Sequence, residues 1–519
     1  MKRRRFLSVV AAGAASAALP RFAGTEAWMD SGTEPTSASI LIHSRSAGRR
    51  IPDRYIGLSY ELSQLSEPTF FSPEHTDLIA LFRRLSPVGI LRLGGNTSEF
   101  CWFQAEPSTA APTLHVPPGD LAQYWMPHRL FAIQPDAVRT LAGFLHATGW
   151  QAIYGVNFGN STPERAAIEA AFVARTLGNS LGFFQIGNEP DLYRNPSNGT
   201  RPPGWNFDDY IREWNAFADA ITAAVPKARF AGPDVAANSD WVVQFGRQMA
   251  PRLGERLVAL SGHYYAEGPP DDPAVTTARL LADNPKVAES TTSIVEAANA
   301  HHLTYHMTEG NSCYRGGKPG MSDAFAASLW SGDYLLLLAS LGCAGINLHG
   351  GDSRFLSAGL GDHNPGLAVA GEKKQNVPNG FYTPISSERG QPASARPVYY
   401  GMLLAQQFAG HAILPIELKT NGKVTAYAAQ KDGRQLLAIF NKDEKASFDV
   451  SIRSETTMAK AEVWRLAART LDSVTGITLG GASITNAGKW KPQAEQLPMR
   501  QGAARLQITP ATGALVFLE

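Results

Sequence analysis

The sequence predicts an α/β protein: a (β/α)8 barrel followed by a C-terminal antiparallel β-sandwich. Short apolar runs recur eight times between residues 54 and 351, and helical periodicity follows most of them. Such alternation is typical of parallel β/α units, and eight units suggest a closed barrel. After about Ile413 the pattern changes to short alternating runs broken by turn residues, which predicts the sandwich.

The eight apolar runs have the length of buried strands. They are Tyr55–Tyr60, Gly89–Leu93, Ala152–Asn157, Phe183–Gly187, Arg229–Pro233, Leu257–Tyr264, Leu303–Thr308 and Cys343–Leu348. The helices between them carry ordinary signals, since Ser161-Thr162-Pro163-Glu164 begins one helix and Gly178 ends it. Asp208-Asp209 opens another helix.

These patterns divide the chain into four segments. We assign residues 1–27 to a signal segment, 38–50 to a strand that joins the sandwich, 51–410 to the barrel and 411–519 to the sandwich. The turn signal Lys431-Asp432-Gly433 predicts a hairpin in the last segment. Residues 192–206 and 357–397 are long loops after strand ends, and we expect both to overhang the active face.

Composition excludes several classes of protein. The chain has 519 residues and a formal net charge of +1. Removal of residues 1–27 takes away five basic residues and one acidic residue, and the net charge becomes −3. A nearly neutral protein gives no support for nucleic-acid binding. The three cysteines, Cys101, Cys313 and Cys343, have no C-x-x-C spacing and predict neither a disulfide framework nor a zinc site.

The N-terminus predicts export. Arg3-Arg4-Arg5-Phe6-Leu7 precedes an Ala-rich apolar stretch, Val9–Leu19, in the manner of a twin-arginine signal. The apolar stretch is too short for a membrane-spanning helix, and no other stretch is a candidate. We therefore expect a bacterial protein that is periplasmic or secreted, with no membrane span in its mature form.

Two glutamates carry the predicted chemistry. Glu189 follows the fourth apolar run and Glu309 follows the seventh. Carboxylates at the C-terminal ends of barrel strands lie at the face where such barrels hold their active sites. Two of them suggest the acid and the nucleophile of a retaining glycosidase, and the Asn188 amide beside Glu189 can donate to a sugar 2-OH.

Several segments resemble glycoside hydrolase family 79, the heparanase and β-glucuronidase family of clan A. They are Leu91-Arg92-Leu93-Gly94-Gly95-Asn96, Ile186-Gly187-Asn188-Glu189-Pro190, His263-Tyr264-Tyr265 and Glu309 with Tyr314-Arg315-Gly316-Gly317. The resemblance implies a retaining exo-β-glucuronidase of the bacterial type that needs no metal or other cofactor. It makes Glu189 the acid/base, Glu309 the nucleophile and Asn188 the ligand of the 2-OH.

The resemblance also implies the other contacts to the sugar. Tyr265 would hydrogen-bond the nucleophile, although the sequence alone equally allows a core aromatic. Glu61 and Asn96 would bind the ring hydroxyls far from the cut, and the family often has Asp where Glu61 stands. The uronate carboxylate would be held by three donors: the Tyr314 phenol, the Gly316 N–H and Tyr382, for which a packed loop anchor is the alternative.

Other functions stay open at this point. An endo-β-glucuronidase acting on a uronic-acid polymer would use the same chemistry, but its cleft should carry clustered basic residues. Lys373-Lys374 is the only adjacent basic pair in the predicted active-face loops. A non-catalytic carbohydrate-binding barrel is the third possibility. His263, His306 and His349 are predicted near one face, but they lack ligand spacing, so hydrogen-bonding roles are favoured over a metal site.

Overall fold

Eight parallel strands close into a barrel in the computed structural model. The strands are Ile56–Glu61, Ile90–Gly94, Gln151–Val156, Leu181–Ile186, Phe230–Val235, Leu257–Glu267, Thr304–Cys313 and Gly345–Gly350. Each strand pairs with the next along the chain, and the eighth pairs with the first, with Leu348 opposite Leu58. The predicted barrel is therefore confirmed, with strand ends that shift by a few residues.

The structure describes residues 36–46, 48–115, 124–361 and 380–519. The predicted signal segment, residues 1–27, and the pair Lys373-Lys374 lie outside these ranges, so export stays a prediction. Within the described ranges, no helix is long and apolar enough to cross a membrane.

Helices follow the barrel strands and form the outer layer. The longer ones are Thr76–Leu85, Pro135–Thr148, Pro163–Leu177, Phe207–Ala224, Ser239–Leu253, Pro285–Ala300, Phe325–Leu341 and Pro397–Gln406, and the short ones are Thr277–Leu280 and Ser353–Ala358. The predicted cap is present at the third of them, where the Thr162 side chain accepts a hydrogen bond from the Arg165 N–H. The fourth begins one residue earlier than predicted because Asn206 and Asp209 form a capping box.

Among the described residues, this part also contains five turns of 3₁₀ helix and two short strand pairs. The 3₁₀ turns are Leu62–Ser66, Asn96–Phe100, Gly178–Ser180, Pro190–Leu192 and Gly254–Arg256. The strand pairs are Cys101–Phe103 with Phe131–Ile133, and Ile385–Ser386 with Ser394–Ala395.

A two-sheet sandwich follows the barrel, as predicted. One sheet has the order Ile416–Lys419, Thr36–Ile42, Phe448–Ser454, Ala503–Ile508 and Met499–Arg500. The other has the order Ala412–Leu414, Val424–Lys431, Arg434–Asn441, Thr512–Leu518, Ala461–Ala467 and Thr478–Leu479, and Glu495–Gln496 also pairs with Ala461–Ala467. The positive φ angles of Asp432 and Gly433, 51° and 81°, give the predicted hairpin turn.

The N-terminal strand Thr36–Ile42 joins the sandwich, but its direction differs from a purely antiparallel arrangement. It pairs antiparallel with Ile416–Lys419 and parallel with Phe448–Ser454. The strand comes from a distant part of the chain rather than from a hairpin, so no turn forces it to run antiparallel to both neighbours.

The interior of the barrel changes from apolar to polar along its axis. Ile90, Ile153, Phe183, Ala231 and Ala259 form an apolar cluster near the N-terminal ends of the strands. Further along the same strands, Arg92, Gln185 and Asp234 are almost completely buried. Buried polar groups need partners inside the protein, so this layer forms the base of the site at the C-terminal face.

Two sequence predictions about this face are wrong. His306 is the third residue of the seventh strand and borders a cavity of about 300 Å³ with Ile90, Ala152 and Phe183, at the N-terminal ends of the strands. It therefore lies opposite His263 and His349, and burial lowers its pKa to about 4. The seventh strand also continues past Glu309 to Cys313, because it stays paired with the long sixth strand beyond a bulge at Met307–Glu309.

Candidate active site

A cavity of about 670 Å³ opens at the C-terminal end of the barrel. Seven of the nine predicted site residues line it: Glu61, Asn96, Glu189, Tyr265, Glu309, Tyr314 and Tyr382. Asn188 is buried and contacts Asn96, one of the lining residues. Gly316 lies two residues after Tyr314 with a φ of 86°, which a residue with a Cβ would adopt only with strain.

The two predicted catalytic carboxylates lie close together. An oxygen of Glu189, an oxygen of Glu309 and a ring nitrogen of His263 all lie within 4.8 Å of one another. Retaining glycosidases separate their carboxyl groups by about 5–5.5 Å, and inverting ones by about 6.5–9.5 Å. The spacing is therefore typical of retention.

Three such donors could also surround a cation. A histidine must be neutral to bind a metal. Burial alone would lower the pKa of His263, but the charges of Asp234 and Glu309 outweigh it and raise this pKa to about 10. His263 would have to lose this proton to bind a metal, whereas it can interact with Glu189 as it stands, so the cluster favours acid–base chemistry.

Glu309 is held in its ionised form. Its two oxygens accept hydrogen bonds from Arg92 Nη1 at 2.5 Å and from the Tyr265 hydroxyl at 2.8 Å, the contact predicted for Tyr265. Burial would raise the pKa of Glu309, but the charges of His349, His263 and Arg92 lower it to about 2. An ionised carboxylate with oriented partners is suited to nucleophilic attack.

The pKa of Glu189 is shifted in the opposite direction, upward. Burial raises its pKa, the charge of Glu309 raises it further, and its contact with His263 Nδ1 at 3.0 Å opposes these effects. Its backbone is left-handed, with φ 51° and ψ 49°, and its N–H donates to the Asp234 carbonyl at 2.8 Å. A non-glycine residue in this conformation is strained, and such strain clusters at functional sites.

Arg92 connects the two carboxylates, although the sequence assigned it no role. Its guanidinium donates to Glu309, to Asn188 Oδ1 at 2.7 Å and to Asp234 Oδ2 at 2.6 Å. The same Asp234 oxygen lies 3.2 Å from His263 Nε2. A continuous chain of contacts therefore runs from Glu309 through Arg92, Asp234 and His263 to Glu189.

The glycines after Arg92 leave room for this arrangement. A Cβ on Gly94 would collide with the Arg92 guanidinium, and a Cβ on Gly95 would collide with the Glu61 carboxylate. Glu61 also accepts hydrogen bonds from the Thr97 N–H at 2.8 Å and the Thr97 hydroxyl at 2.6 Å. The absence of a Cβ therefore lets the Arg92 side chain lie against Gly94 and the Glu61 carboxylate lie against Gly95.

Glu99 is a further buried carboxylate, and it supports the segment that carries Asn188 and Glu189. Glu99 accepts the Asn188 N–H at 2.7 Å and the Phe158 N–H at 2.8 Å. The pKa of Glu99 is raised, because the effect of burial exceeds the opposing effect of these donors and Tyr193. Glu99 therefore fixes the segment that carries Asn188 and Glu189.

Two predicted sugar ligands keep free hydrogen-bonding capacity. Asn96 donates to the Gly359 carbonyl at 2.9 Å and accepts from Asn188 Nδ2 at 3.2 Å. An amide has two N–H donors and two acceptor lone pairs, so each of these asparagines retains one N–H with no partner among the described residues. Glu61 presents its other oxygen 3.5 Å from His349 Nε2, on the same wall of the cavity.

The predicted carboxylate-binding residues meet at one side of the cavity. The Tyr265 ring lies 6.5 Å from the Tyr314 ring and 6.1 Å from the Tyr382 ring, centroid to centroid. A Cβ on Gly317 would contact the Tyr382 N–H, so the Gly316-Gly317 segment passes beside Tyr382. Arg315 covers the rim, with its guanidinium carbon 4.3 Å from the centroid of the Trp125 ring.

The chain is similar to two curated fungal proteins, and no family model matches it. A β-glucuronidase of Aspergillus niger is 24% identical over 471 residues, which cover 81% of this chain and 79% of that protein. A β-glucuronidase of Neurospora crassa is 26% identical over 368 residues, or 64% of this chain and 63% of that protein.

Solved structures support the architecture. This chain superposes on a 4-O-α-L-rhamnosyl-β-D-glucuronidase from Fusarium oxysporum with a TM-score of 0.69 and 17% identity. The alignment covers 92% of this chain and 99% of that protein. This chain also superposes on an arabinofuranosidase of glycoside hydrolase family 51 from Xanthomonas axonopodis with a TM-score of 0.62 and 15% identity. That alignment covers 93% of this chain and 100% of that protein. The chain therefore shares the barrel-and-sandwich fold of glycoside hydrolases.

Proposed function

We propose that this protein is a retaining glycoside hydrolase that removes terminal β-linked glucuronic acid. One observation carries the proposal: carboxylate oxygens of Glu189 and Glu309 lie within 4.8 Å of each other, while the pKa of Glu189 is raised and that of Glu309 is lowered. Two carboxyl groups with opposed pKa shifts are the expected acid and nucleophile. The names of the two fungal relatives support glucuronide as the substrate.

In the proposed mechanism Glu309 attacks the anomeric carbon while Glu189 protonates the leaving oxygen. Arg92 and Tyr265 hold the attacking carboxylate, and the remaining Asn188 N–H binds the sugar 2-OH. Glu189 is then a carboxylate next to protonated His263, and it activates the water that releases the sugar. The two inversions give overall retention.

The substrate carboxylate is proposed to bind beside Tyr314, the Gly316 N–H and Tyr382. The placement of the two tyrosine rings around Tyr265 supports this. A buried site built to bind such a group leaves its donors unpaired when a neutral sugar enters, which strongly disfavours the neutral analogue.

A screen of aryl β-glycosides tests the proposal. We expect turnover of the glucuronide to exceed that of the glucoside, xyloside and galacturonide, and NMR should show the β anomer as the first-formed product. Cleavage of uronic-acid polymers alone would favour an endo enzyme, and binding without turnover would favour a carbohydrate-binding barrel. An α product would contradict the role of Glu309.

Tyr314→Phe is expected to reduce the preference for glucuronide. Hydrogen bonds to charged groups contribute about 1.5–3 kcal/mol, so kcat/KM for the glucuronide should fall about 10- to 150-fold. The matching glucoside has no carboxylate, so its slower turnover should change little. An unchanged glucuronide-to-glucoside ratio of kcat/KM would show that this phenol does not bind the carboxylate.

The pH profile of kcat/KM should have an acid limb from Glu309 and an alkaline limb from Glu189. Glu309 must be ionised, and its lowered pKa leaves the acid limb, to which the carboxyl group of the substrate also contributes, below the usual range of a glutamate. Glu189 must be protonated, and its raised pKa moves the alkaline limb upward. With a dinitrophenyl glucuronide, which needs no acid, Glu189→Gln should lose the alkaline limb. Persistence of that limb would assign it to another group.

A further inference from the structure

Part of the lining of the active-site cavity consists of apolar side chains that the proposed chemistry does not use. We call it the side lobe, and define it by Val242, Val287, Ile294, Tyr305 and Met307, all of which line the same cavity as the two catalytic glutamates. Val242 lies on helix Ser239–Leu253, Val287 and Ile294 lie on helix Pro285–Ala300, and the other two lie on the seventh strand. All five side chains are buried.

The side lobe begins beside the proposed acid. Ala236 and Ala237 also line the cavity, and they come directly after Asp234 and Val235 at the end of the fifth strand. The Asp234 carbonyl accepts the Glu189 N–H at 2.8 Å. The main chain that contacts Glu189 therefore continues directly into Ala236 and Ala237, which line the cavity ahead of helix Ser239–Leu253 and its Val242.

The position of the acid indicates on which side of the scissile bond the side lobe lies. The acid of a glycosidase faces the oxygen that joins the sugar to its leaving group. Glu61, Asn96 and Tyr382, the proposed sugar ligands, come from the end of the first strand and from the segments after the second and eighth strands, whereas the side lobe is built from two helices and the seventh strand. A glucuronide bound to them would direct its aglycone past Glu189 and toward the side lobe.

The walls of the side lobe are mainly hydrocarbon, although Ser290 and Thr291 on helix Pro285–Ala300 also line the cavity. Valine, isoleucine and methionine side chains offer no strong hydrogen bonds, and the Tyr305 hydroxyl is directed to the Met307 sulfur at 3.8 Å. Sugar hydroxyls buried against the apolar side chains would lose more hydrogen bonds to water than the Ser290 and Thr291 hydroxyls can replace, which is costly. Apolar surface is favourably buried in the same place.

The size of the cavity agrees with an aglycone. Protein interiors are close-packed, with few voids larger than a water molecule. The whole cavity measures about 670 Å³, within the range of about 300–1,000 Å³ that holds drug-sized ligands. One glucuronic acid ring is much smaller than such a ligand.

We infer that the side lobe is an aglycone site and that the enzyme prefers glucuronides of apolar alcohols. This inference rests on the proposed function, because it takes Glu189 as the acid. It makes Val242, Val287 and Ile294 specificity-determining residues that contact the leaving group.

A series of alkyl β-D-glucuronides from methyl to octyl tests the inference. The alcohols from ethyl upward have nearly equal acidity, so chemistry alone would give nearly equal rates along the series. Burial of each methylene should raise kcat/KM by up to about fourfold, and we expect the octyl compound to exceed the methyl compound by more than about tenfold. A flat series would overturn the inference.

Val242→Phe and Ser290→Phe test the location of the site. Both residues line the cavity, and a phenyl group at either position should occupy the side lobe and bring the octyl-to-methyl ratio close to one. Using a ratio removes any general loss of activity. Ser293→Phe is the matched control, because Ser293 lies on the same helix but is exposed, and it should keep the wild-type ratio. An unchanged ratio in both lobe variants would contradict the assignment.

Binding separates this inference from the proposed function. Octyl and methyl β-D-thioglucuronides resist hydrolysis, and calorimetry can compare their affinities in the wild type and the same variants. Tighter octyl binding that Val242→Phe removes supports the side lobe even if no glucuronide is turned over, which would reject only the proposed function. Equal affinities would reject the side lobe even in an active glucuronidase.

Discussion

Replacement of Glu309 by alanine is expected to reduce kcat/KM for an aryl glucuronide by on the order of 10⁴-fold or more, a loss typical of residues that do the chemistry. Glu309 lies in the cavity with one oxygen on Arg92 and the other on Tyr265. Without its carboxylate no covalent glycosyl-enzyme can form. Mass spectrometry with a slow fluorinated glucuronide should therefore show a covalent adduct in the wild type and none in the variant.

Added azide distinguishes the two glutamates. In Glu189→Ala a good leaving group still allows the glycosyl-enzyme to form, and azide should then restore turnover with formation of the β-glucuronosyl azide. In Glu309→Ala azide can only attack the substrate directly and give the α product. A β azide from the Glu309 variant alone would reverse the two roles.

Glu267→Ala is the matched control for Glu309→Ala. Glu267 is a buried glutamate at the end of the sixth barrel strand, paired with Arg279 at 3.1 Å. It is not one of the described residues that line the cavity. Its replacement should leave kcat nearly unchanged, which would show that loss of a buried carboxylate at this face is not sufficient to stop catalysis.

The sequence predicted the barrel and its two glutamates because each depends on local pattern and on a general rule. An apolar run followed by helical periodicity indicates a β/α unit wherever it occurs. Closure of the barrel then brings the C-terminal ends of all strands to one face, so Glu189 and Glu309 meet although 120 residues separate them. No such rule predicts the direction of strand Thr36–Ile42. Alternation of apolar and polar residues predicts a strand but does not predict whether its partners run parallel or antiparallel to it.

The chain of contacts behind the glutamates was not predictable in the same way. Arg92, Asp234 and His263 come from three strands, and each pair is separated by tens of residues or more. A signal was nevertheless present, since Arg92 lies between Leu91 and Leu93 in a buried strand. An arginine in that setting is almost never buried without an acidic partner, and Asp234 near the end of the fifth strand is such a partner.

The position of His306 shows where residue type misleads. A histidine in a strand next to the glutamate was expected near the active face, but strand length decides which end of the barrel a residue occupies. His306 precedes the bulge at Met307–Glu309 and lies at the N-terminal end. The side lobe was equally invisible in the sequence, because a gap between helices and a sheet depends on packing across distant elements.

Arg92→Met is expected to reduce the free energy of unfolding by about 3–5 kcal/mol, the usual effect of removing one partner of a buried ion pair. Arg92 is 1% exposed and contacts two buried carboxylates, Asp234 at 2.6 Å and Glu309 at 2.5 Å. Its loss leaves both charges without their nearest cation. Urea unfolding at pH 7 measures the change.

Arg252→Met is the control for this loss of an arginine. Arg252 pairs with Asp219 at 2.8 Å, but both side chains are well exposed. Pairs of this kind contribute about 0–1 kcal/mol, so the unfolding midpoint should hardly move. An equal effect of the two substitutions would show that burial of the Arg92 pairs does not matter.

The pH dependence of the Arg92→Met effect tests its electrostatic cause. The pKa values of Asp234 and Glu309 are lowered in the folded protein, so these groups contribute stability above the ordinary carboxyl pKa of about 4 and lose it as pH falls. Without Arg92 that contribution shrinks, so the difference between wild type and variant should be largest at pH 7 and should diminish as the pH falls from about 4 through the lowered pKa of Glu309. The acid limb of kcat/KM should also move to higher pH, because Glu309 becomes easier to protonate. A stability difference that is constant with pH would mean that Arg92 acts by packing, and that its charge does not keep the nucleophile ionised.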